Sequence, residues 1–324
     1  MNATMAQAIN QALAGEMERD GRVVILGEDV GADGGVFRIT DGLVDKFGRE
    51  RVIDTPLAES AGVGVAVGMA ALGLRPIIEI QFMGFIYPAF NQIVSHVARL
   101  RNRTRGRFTV PLVIRTPYGA GVRALEHHSE STEAFFCHIP GLTVVVPSTP
   151  YDSKGLLIAA IRGEDPVLFL EPTRLYRAER QEVPDEAYEV QIGKARIARE
   201  GKDLTIIAWG AMVPLAERAA VRAAESGWST EVIDLRTLSP MDRETIIKSV
   251  KKTGRALVVH EAPKTCGLGA EIAALIGEKA LLSLEAPVLR ITGWDVTPPL
   301  PKGEDVYYPN PERIFLGIKR LMEF

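Results

Sequence analysis

Short apolar runs alternate with amphipathic helical patterns along almost the whole chain, and this alternation most constrains the fold. The runs are apolar on both faces, as strands covered by helices on each side must be. Such an order of elements predicts an α/β protein with a mainly parallel sheet. In the first half, strands are predicted near Val23 to Gly27, Arg75 to Ile80, Leu112 to Thr116, Thr143 to Val146 and Val167 to Leu170, and helices at the N-terminus and near Glu59 to Leu72, Pro88 to Asn102 and Ser153 to Ile161.

The pattern divides the chain into two units. At roughly 150 residues per domain, a chain of 324 residues predicts two domains. From Glu171 to about Lys202 the periodicity is lost and the chain becomes charged, with Pro172 and Pro184 inside it, which indicates a segment that crosses between domains. We therefore expect a first domain over residues 1–175, a crossing segment over 176–201 and a smaller, doubly wound α/β domain over 202–324. In this last part, strands are predicted near Leu204 to Trp209, Thr230 to Leu235, Ala256 to His260 and Pro287 to Ile291, and helices near Pro214 to Ala224, Asp242 to Lys251, Gly269 to Ala280 and Pro311 to Met322.

Composition excludes several classes of protein. Hydrophobic residues make up 46% of the chain and charged residues 24%, a globular balance that excludes a disordered or fibrous chain. The net charge of −3 gives no general electrostatic reason to bind nucleic acid or an anionic membrane. The two cysteines are too few for a disulfide framework, and no window approaches the ~20 apolar residues of a membrane span. Since the N-terminus also lacks the basic start of a signal peptide, a cytoplasmic protein is expected.

The segment from Asp54 to Gly73, DTPLAESAGVGVAVGMAALG, is the most informative one. It places Glu59 at the start of a predicted helix that is rich in glycine and alanine. Glycine costs about 1 kcal/mol in a helix interior relative to alanine, so several glycines in one helix require a reason. One interpretation is tight packing against a neighbouring backbone, and the other is a cofactor site headed by the carboxylate.

Glycine patterns for nucleotides do not explain this segment. The run from Gly62 to Gly68 imitates a dinucleotide fingerprint, but it lies inside the helix instead of following a strand. Gly267 and Gly269 follow a strand without a third glycine, and the chain contains no GxxxxGK[ST] motif. A nicotinamide-binding or nucleotide-hydrolysing protein is therefore not favoured.

The spacing of Glu59, Gly64 and Gly68 resembles the pyrimidine-binding motif of thiamine-diphosphate enzymes. Longer strings resemble one family of them, the β subunits of heterotetrameric 2-oxoacid dehydrogenases, which form part of the decarboxylating component. The resemblance implies a pyrimidine-type open parallel-sheet domain followed by a smaller α/β domain like the C-terminal domain of transketolase. The strings occur in order over nearly the whole chain: LGEDVG, GGVF, DTPLAE, EIQF, HHSES, PSTPYDSKGLL and EVIDLRTLSPMD.

The resemblance implies roles for five residues around the cofactor ring. Glu59 is implied to bind N1′ of the aminopyrimidine, with Leu57 beside the ring. Glu28 resembles a second buried carboxylate of the family, Gln81 is implied to line the site, and Phe85 matches an aromatic residue that packs on the pyrimidine. The alternatives are a cap of the following helix for Glu28 and an ordinary core position for Phe85.

One histidine carries the remaining implied catalytic role. His128, directly before Ser129, matches the histidine that exchanges protons while the acyl fragment is transferred to a lipoyl group. Because His127 adjoins it, the two side chains are expected to project differently, with only one reaching the site.

The chain lacks half of the cofactor site that the resemblance implies. Thiamine-diphosphate enzymes hold the diphosphate and Mg²⁺ through a GDG…NN segment, and this sequence contains neither GDG nor Asn-Asn. The resemblance supplies the missing half as an α subunit in an α2β2 assembly, so no metal ligand is expected in this chain. Family members often bind a structural K⁺ shortly before the position of Asp165. Here Gly163 stands where an acidic side chain is expected, which argues against that site.

The resemblance favours an oxidative decarboxylase that passes an acyl group to the lipoyl domain of an acyltransferase core. The stretch HHSESTEAFFCHIPGL slightly favours a branched-chain 2-oxo acid over pyruvate. A pocket difference of one methylene is worth only ~1 to 3 kcal/mol, and the partner chain forms part of the pocket. The alternatives are an acetoin dehydrogenase or transketolase-like β subunit and a noncatalytic scaffold.

Overall fold

Two open sheets form the framework of the computed structural model, which describes all 324 residues. The larger sheet is parallel except for one edge strand, which pairs antiparallel with its neighbour. Its seven strands lie in the spatial order Thr237–Ser239, Thr143–Val145, Val167–Pro172, Val113–Tyr118, Arg75–Glu79, Val23–Gly27 and Val52–Asp54.

The smaller sheet is built almost entirely from the C-terminal part of the chain. Four parallel strands are flanked by one antiparallel strand, which lies in the predicted crossing segment. In spatial order its strands are Leu289–Gly293, Ala256–Pro263, Leu204–Ala208, Thr230–Asp234 and Arg196–Arg199. A separate antiparallel pair joins Asn2–Ala3 to Gln181–Glu182.

Helices cover both faces of each sheet, which confirms the predicted α/β architecture. On the larger sheet, Met5–Arg19 packs against Pro150–Arg162 on one face, and Glu59–Ala71 lies on the other. On the smaller sheet, Met212–Glu225 packs against Pro311–Met322. The remaining α-helices are Leu43–Phe47, Phe90–Gln92, Leu100–Arg103, Glu133–Cys137, Arg243–Thr253, Leu268–Ala280 and Glu304–Tyr307.

Local sequence signals explain where several helices begin. Thr4 and Gln7 form a capping box at the first helix, in which each side chain bonds the other residue's backbone N–H. Thr149 and Asn310 cap two later helices, and each is followed by a proline at the first helical position, where its fixed φ suits the helix.

One hydrophobic core connects the two sheets. A cluster of 37 buried residues includes Ile78 and Ile114 of the larger sheet together with Ile207 and Ile233 of the smaller one. Since burying an apolar side chain stabilises the fold by about 1.5 to 3 kcal/mol, these contacts hold the sheets in a fixed relation.

The predicted elements differ from the structure in one long helix and in several short strands. The single helix expected from Pro88 to Asn102 is instead a series of short 3₁₀, α and π turns, with a π segment at Ile93–Val97. A π turn holds one extra residue per turn, so a uniform helical period does not describe the segment. The strands Val52–Asp54 and Thr237–Ser239 were not predicted, because three residues are too few to set up a recognisable pattern.

None of the helices combines the length and the apolar character needed to cross a membrane.

Candidate active site

The candidate site lies at the carboxyl edge of the larger sheet. Four neighbouring parallel strands end there, and the segments that follow them meet at the same edge. In the spatial order of the strands, these segments carry His128, then Gln81 with Phe85, then Glu28, then Leu57 with Glu59.

Two carboxylates lie on adjacent segments at this edge, close enough to affect each other electrostatically. Glu28 follows strand Val23–Gly27 and is half-buried, and Glu59 is the first residue of helix Glu59–Ala71. Burial raises the pKa of the Glu28 carboxyl above its ordinary value, and the nearby charges of Glu59 and then Asp29 raise it further. The two carboxyl groups offer acceptors for a basic group bound beside them.

The capping role considered for Glu28 is wrong. Residues 28–40, called here the Glu28 loop, form turns, and the next helix begins only at Leu43. That helix has Gly42 at its N-terminal cap position, with no side-chain cap.

Aromatic rings form one wall of the site. The centroids of Phe82 and His128 are 4.5 Å apart, and those of Phe85 and His128 are 5.3 Å apart. The 3₁₀ turn Met83–Phe85 packs directly on the backbone of His127, where a Cβ at Gly84 would lie 2.4 Å from the His127 carbonyl oxygen. Only glycine permits this approach, which brings the aromatic wall against the histidines.

Both adjacent histidines reach the aromatic wall, contrary to the expectation that they project apart. The ring of His127 lies 5.4 Å from that of Phe85 and 4.5 Å from that of His128. They stand on the 3₁₀ turn Glu126–His128, and both rings pack against the turn that carries Phe85. The Nδ1 atom of His128 is buried without a hydrogen-bond partner, so a polar group is missing from its surroundings.

The two other predicted residues are Gln81 and Leu57, neither of which is fully buried. Gln81 is half-buried, and its amide makes no hydrogen bond within the chain. Leu57 is 75% exposed. Both side chains are thus free to contact a bound molecule, and the site is open on the side of Leu57.

A buried ion network lies below the site. The Arg115 guanidinium donates to both carboxylate oxygens of Glu171, at 2.7 and 3.0 Å, and to Glu79 at 2.9 Å. The Tyr176 hydroxyl donates to Glu171 at 2.6 Å. Because these groups are fully desolvated and mutually satisfied, they fix the ends of three central strands in one arrangement.

The second unit contacts the segment that carries the histidines. Residues 119–128, the histidine loop, follow strand Val113–Tyr118. The Tyr308 hydroxyl donates to the carbonyl of Ser129 at 2.5 Å, directly after this loop. Arg123 within the loop pairs with Asp305 at 3.1 Å. The C-terminal part of the chain therefore helps to position His128.

A cavity of about 540 Å³ adjoins the histidine loop between the two units. Glu261 lines it, and Glu133 lies buried nearby; neither carboxyl has a hydrogen-bond partner. Burial raises the pKa of Glu133 and of Glu261 to about 7, and their mutual charge adds to the increase for Glu261. These carboxyls are therefore largely neutral below neutral pH.

The chain contains no group of three or more His, Cys, Asp or Glu residues that could hold a metal ion. Near Gly163, the carbonyls of Ile161 and Gly163 accept hydrogen bonds from Arg75, and Asp165 pairs with Arg101. These oxygens already accept hydrogen bonds from arginine side chains.

Sequence reasoning missed Phe82 and Tyr308 as contributors to the site. Phe82 stands in the string EIQF, so its proximity to Gln81 was a signal for it. Tyr308 is 179 residues away from Ser129, and no local pattern indicates that contact.

Family models match both parts of the chain. Residues 1–179 match "Transketolase, pyrimidine binding domain", and residues 193–314 match "Transketolase, C-terminal domain". These matches confirm the expected fold class.

Curated relatives share the length of the chain. A protein of Acholeplasma laidlawii named "Pyruvate dehydrogenase E1 component subunit beta" is 56% identical over 98% of this chain and 97% of its own. A protein of Bacillus subtilis with the same name is 51% identical over 99% of each chain. A solved structure titled "Split gene transketolase, inactive beta4 tetramer" has a TM-score of 0.81 over 100% of this chain and 99% of that chain, at 23% identity, and so supports the fold alone.

Proposed function

Because the chain belongs to the β subunits of thiamine-diphosphate-dependent 2-oxoacid dehydrogenases, we propose that it decarboxylates pyruvate together with an α subunit. The acetyl fragment then passes to a lipoyl group, whose disulfide is reduced. The names of the relatives carry the choice of substrate, since both of those described are pyruvate dehydrogenase subunits. These names give no support to the preference for a branched-chain 2-oxo acid that was expected from the sequence. We therefore propose pyruvate as the substrate instead.

The residues at the sheet edge fit the pyrimidine ring of thiamine diphosphate. A flat nitrogen heterocycle suits a site with paired carboxylates on one side and the Phe82–Phe85 wall on another. The unpartnered Nδ1 atom of His128 also indicates a polar ligand. When bound, thiamine diphosphate supplies the carbon nucleophile and the electron sink for decarboxylation.

Each site residue has a distinct proposed task. Glu59 holds a proton at N1′ of the ring, and Glu28 keeps that proton local because its own carboxyl resists ionisation. Gln81 donates or accepts through its free amide, and Phe85 packs on the ring, with Leu57 beside it. These roles follow from residue chemistry and from position at the edge of the sheet.

His128 is proposed to exchange a proton with the acyl fragment during transfer to the lipoyl group. An imidazole ring can accept a proton at one step and donate it at another, which suits this task. Its ring is oriented by contacts with Phe82 and Phe85.

An α subunit is proposed to complete the site with the diphosphate and Mg²⁺ ligands. This chain offers no metal-binding cluster of its own. One face of helix Glu59–Ala71 and its N-terminal cap residue is exposed, and a second protein chain could pack closely against its small side chains. The exposed residues of this face recur at helical spacing, and they are Ala58, Ala61, Val65, Gly68 and Leu72.

The wider assembly is also part of the proposal. We infer an α2β2 heterotetramer that acts on the lipoyl domains of an acyltransferase core. A cytoplasmic location is retained, and it is supported by two cysteines that are both free thiols. A structural K⁺ is left out because Arg75 and Arg101 engage the oxygens near Gly163.

The test is 2-oxo-acid-dependent reduction of an artificial electron acceptor, with thiamine diphosphate and Mg²⁺, for this chain alone and coexpressed with an α subunit. We expect activity only in the complex and highest with pyruvate. If activity is higher with a branched-chain 2-oxo acid or with acetoin, that compound replaces pyruvate as the proposed substrate. An assembled complex that binds no cofactor would favour the noncatalytic scaffold.

A further inference from the structure

Glu28 is held on both sides by one short segment of the neighbouring strand. On its N-terminal side, the carbonyl of Gly27 accepts a hydrogen bond from the backbone N–H of Thr55 at 2.9 Å. On its C-terminal side, the Asp54 carboxylate accepts from the N–H of Gly31 at 2.6 Å and from that of Ala32 at 3.0 Å.

The Asp54 carboxylate joins the two halves of the carboxylate pair. Asp54 ends strand Val52–Asp54, lies opposite Gly27 in the sheet, and precedes Glu59 by only five residues. Its two oxygens each bind one N–H of the Glu28 loop, and such charge-assisted bonds are stronger than neutral ones. The loop that carries Glu28 is thereby tied to the segment that leads into Glu59.

The sequence of the loop fits this contact. A Cβ at Gly31 would lie 3.0 to 3.2 Å from the Asp54 carboxylate, so a larger residue there would push the carboxylate away. Within the loop, the carbonyl of Asp29 accepts from the N–H groups of Asp33 and Gly35, which continues the turn beyond the contact. The loop has its own internal bonds, and Asp54 anchors it to the sheet.

We propose that Asp54 is a positioning residue that sets the distance between the Glu28 and Glu59 carboxylates. This inference rests on the proposed function, in which that pair binds the pyrimidine ring. The charge of Glu59 contributes to the protonation of Glu28, so the strength of their coupling depends on their separation. Loss of the Asp54 contacts frees the loop, weakens cofactor binding and changes the pH dependence of activity.

The first measurement is amide hydrogen exchange of the α/β complex without and with thiamine diphosphate. Asp54→Ala is expected to speed exchange on the order of tenfold or more at Gly31 and Ala32 in the cofactor-free complex. Asp54→Asn keeps one acceptor oxygen and should give an intermediate rate. Asp33→Asn removes the same charge from the same loop at a side chain that makes no hydrogen bond, and should leave exchange unchanged.

The second measurement is the dissociation constant for thiamine diphosphate, together with the pH profile of pyruvate turnover. Asp54→Ala should weaken cofactor binding on the order of tenfold and move the acidic limb of the profile, while Asp33→Asn matches wild type. If Asp54→Ala leaves loop exchange unchanged, or leaves both cofactor affinity and the profile unchanged, the positioning role is wrong. If the alanine variant fails to assemble, the same measurements are made on Asp54→Asn and judged by the same criteria.

Failure of the proposed function gives a different result. It would appear in the wild-type complex, which would turn over no pyruvate whatever the Asp54 variants do. A wild-type complex that is active, combined with normal loop exchange in Asp54→Ala, would reject only the role of Asp54.

Discussion

The two halves of the candidate site are held in place by different parts of the molecule. The carboxylate half is tied within the larger sheet, where Asp54 and Gly31 are separated by 23 residues. The histidine half is held across the two units, where Tyr308 and Ser129 are separated by 179 residues. Local contacts form at a lower entropic cost than distant ones. The carboxylate half is therefore set by the folding of the larger sheet, whereas the histidine half also requires the second unit to dock.

This difference matches the chemistry proposed for each half. In the proposed mechanism, the carboxylates act on the cofactor ring in every turnover, so a rigid local frame suits them. The histidine is proposed to act later, when the acyl group leaves for a lipoyl group on another protein. Its position at a contact between units makes its geometry sensitive to changes far from the sheet edge.

The largest effect is expected from the carboxylate half. Glu59→Gln keeps the shape of the side chain but cannot exchange the proton, so turnover should fall by about 10² to 10⁴-fold. Size-exclusion chromatography should show an intact α/β complex. Glu50→Gln, at an exposed carboxyl, is the control and should keep full activity. Normal turnover of Glu59→Gln would remove Glu59 from the mechanism.

A selective effect is expected from the histidine half. His128→Ala should lower acyl transfer to a lipoyl domain by about 10²-fold and decarboxylation with an artificial acceptor by much less. The two half-reactions are measured on the same preparation. Equal losses in both would mean that His128 serves the site as a whole, and the proposed division of the site would not hold.

Two adjacent tyrosines test the contact between units directly. Tyr308→Phe keeps the ring but removes the hydrogen bond to Ser129, so acyl transfer should fall about fivefold, equivalent to roughly 1 kcal/mol. Tyr307→Phe is the matched control, because its hydroxyl bonds the carbonyl of Val296 within the same unit at 3.1 Å. Decarboxylation should change little in either variant. Matching losses for the two variants would indicate general loosening instead of positioning.

The sequence predicts the carboxylate half better than the histidine half, for a physical reason. Every residue of strands Val23–Gly27 and Arg75–Glu79 is buried, and each strand contains a short apolar run, so their positions can be predicted from the sequence. Glu28 and Gln81 follow them directly, and strand order then places both residues at one edge. The contact between Asp54 and Gly31 depends on a strand of three residues, and no periodicity of that length can be detected.

The histidine half is harder to predict because its neighbours come from distant parts of the sequence. Nothing around Tyr308 indicates that it contacts Ser129, since the contact arises only when the units dock. The turn that brings His127 and His128 against Phe85 depends on Gly84, whose role is visible only in three dimensions. Motif resemblance predicts a role for His128, but it carries no information about what holds the loop.

The effect furthest from the proposed chemistry concerns pH and the buried carboxyls between the units. The folded-state pKa of Glu133 is about 7, above its ordinary value, because of burial. The folded chain therefore binds more protons than the unfolded chain between about pH 4.5 and 7, and its stability falls as pH rises through that window.

Glu133→Gln should raise the melting temperature by a few degrees at pH 8, because ionisation of Glu133 lowers the wild type's free energy of unfolding there by up to about 3 kcal/mol. At pH 5 the substitution should change the melting temperature little. Glu225→Gln, at an exposed carboxyl, is the control. A Glu133→Gln curve parallel to wild type from pH 5 to 8.5 would show that Glu133 does not titrate at the contact between units.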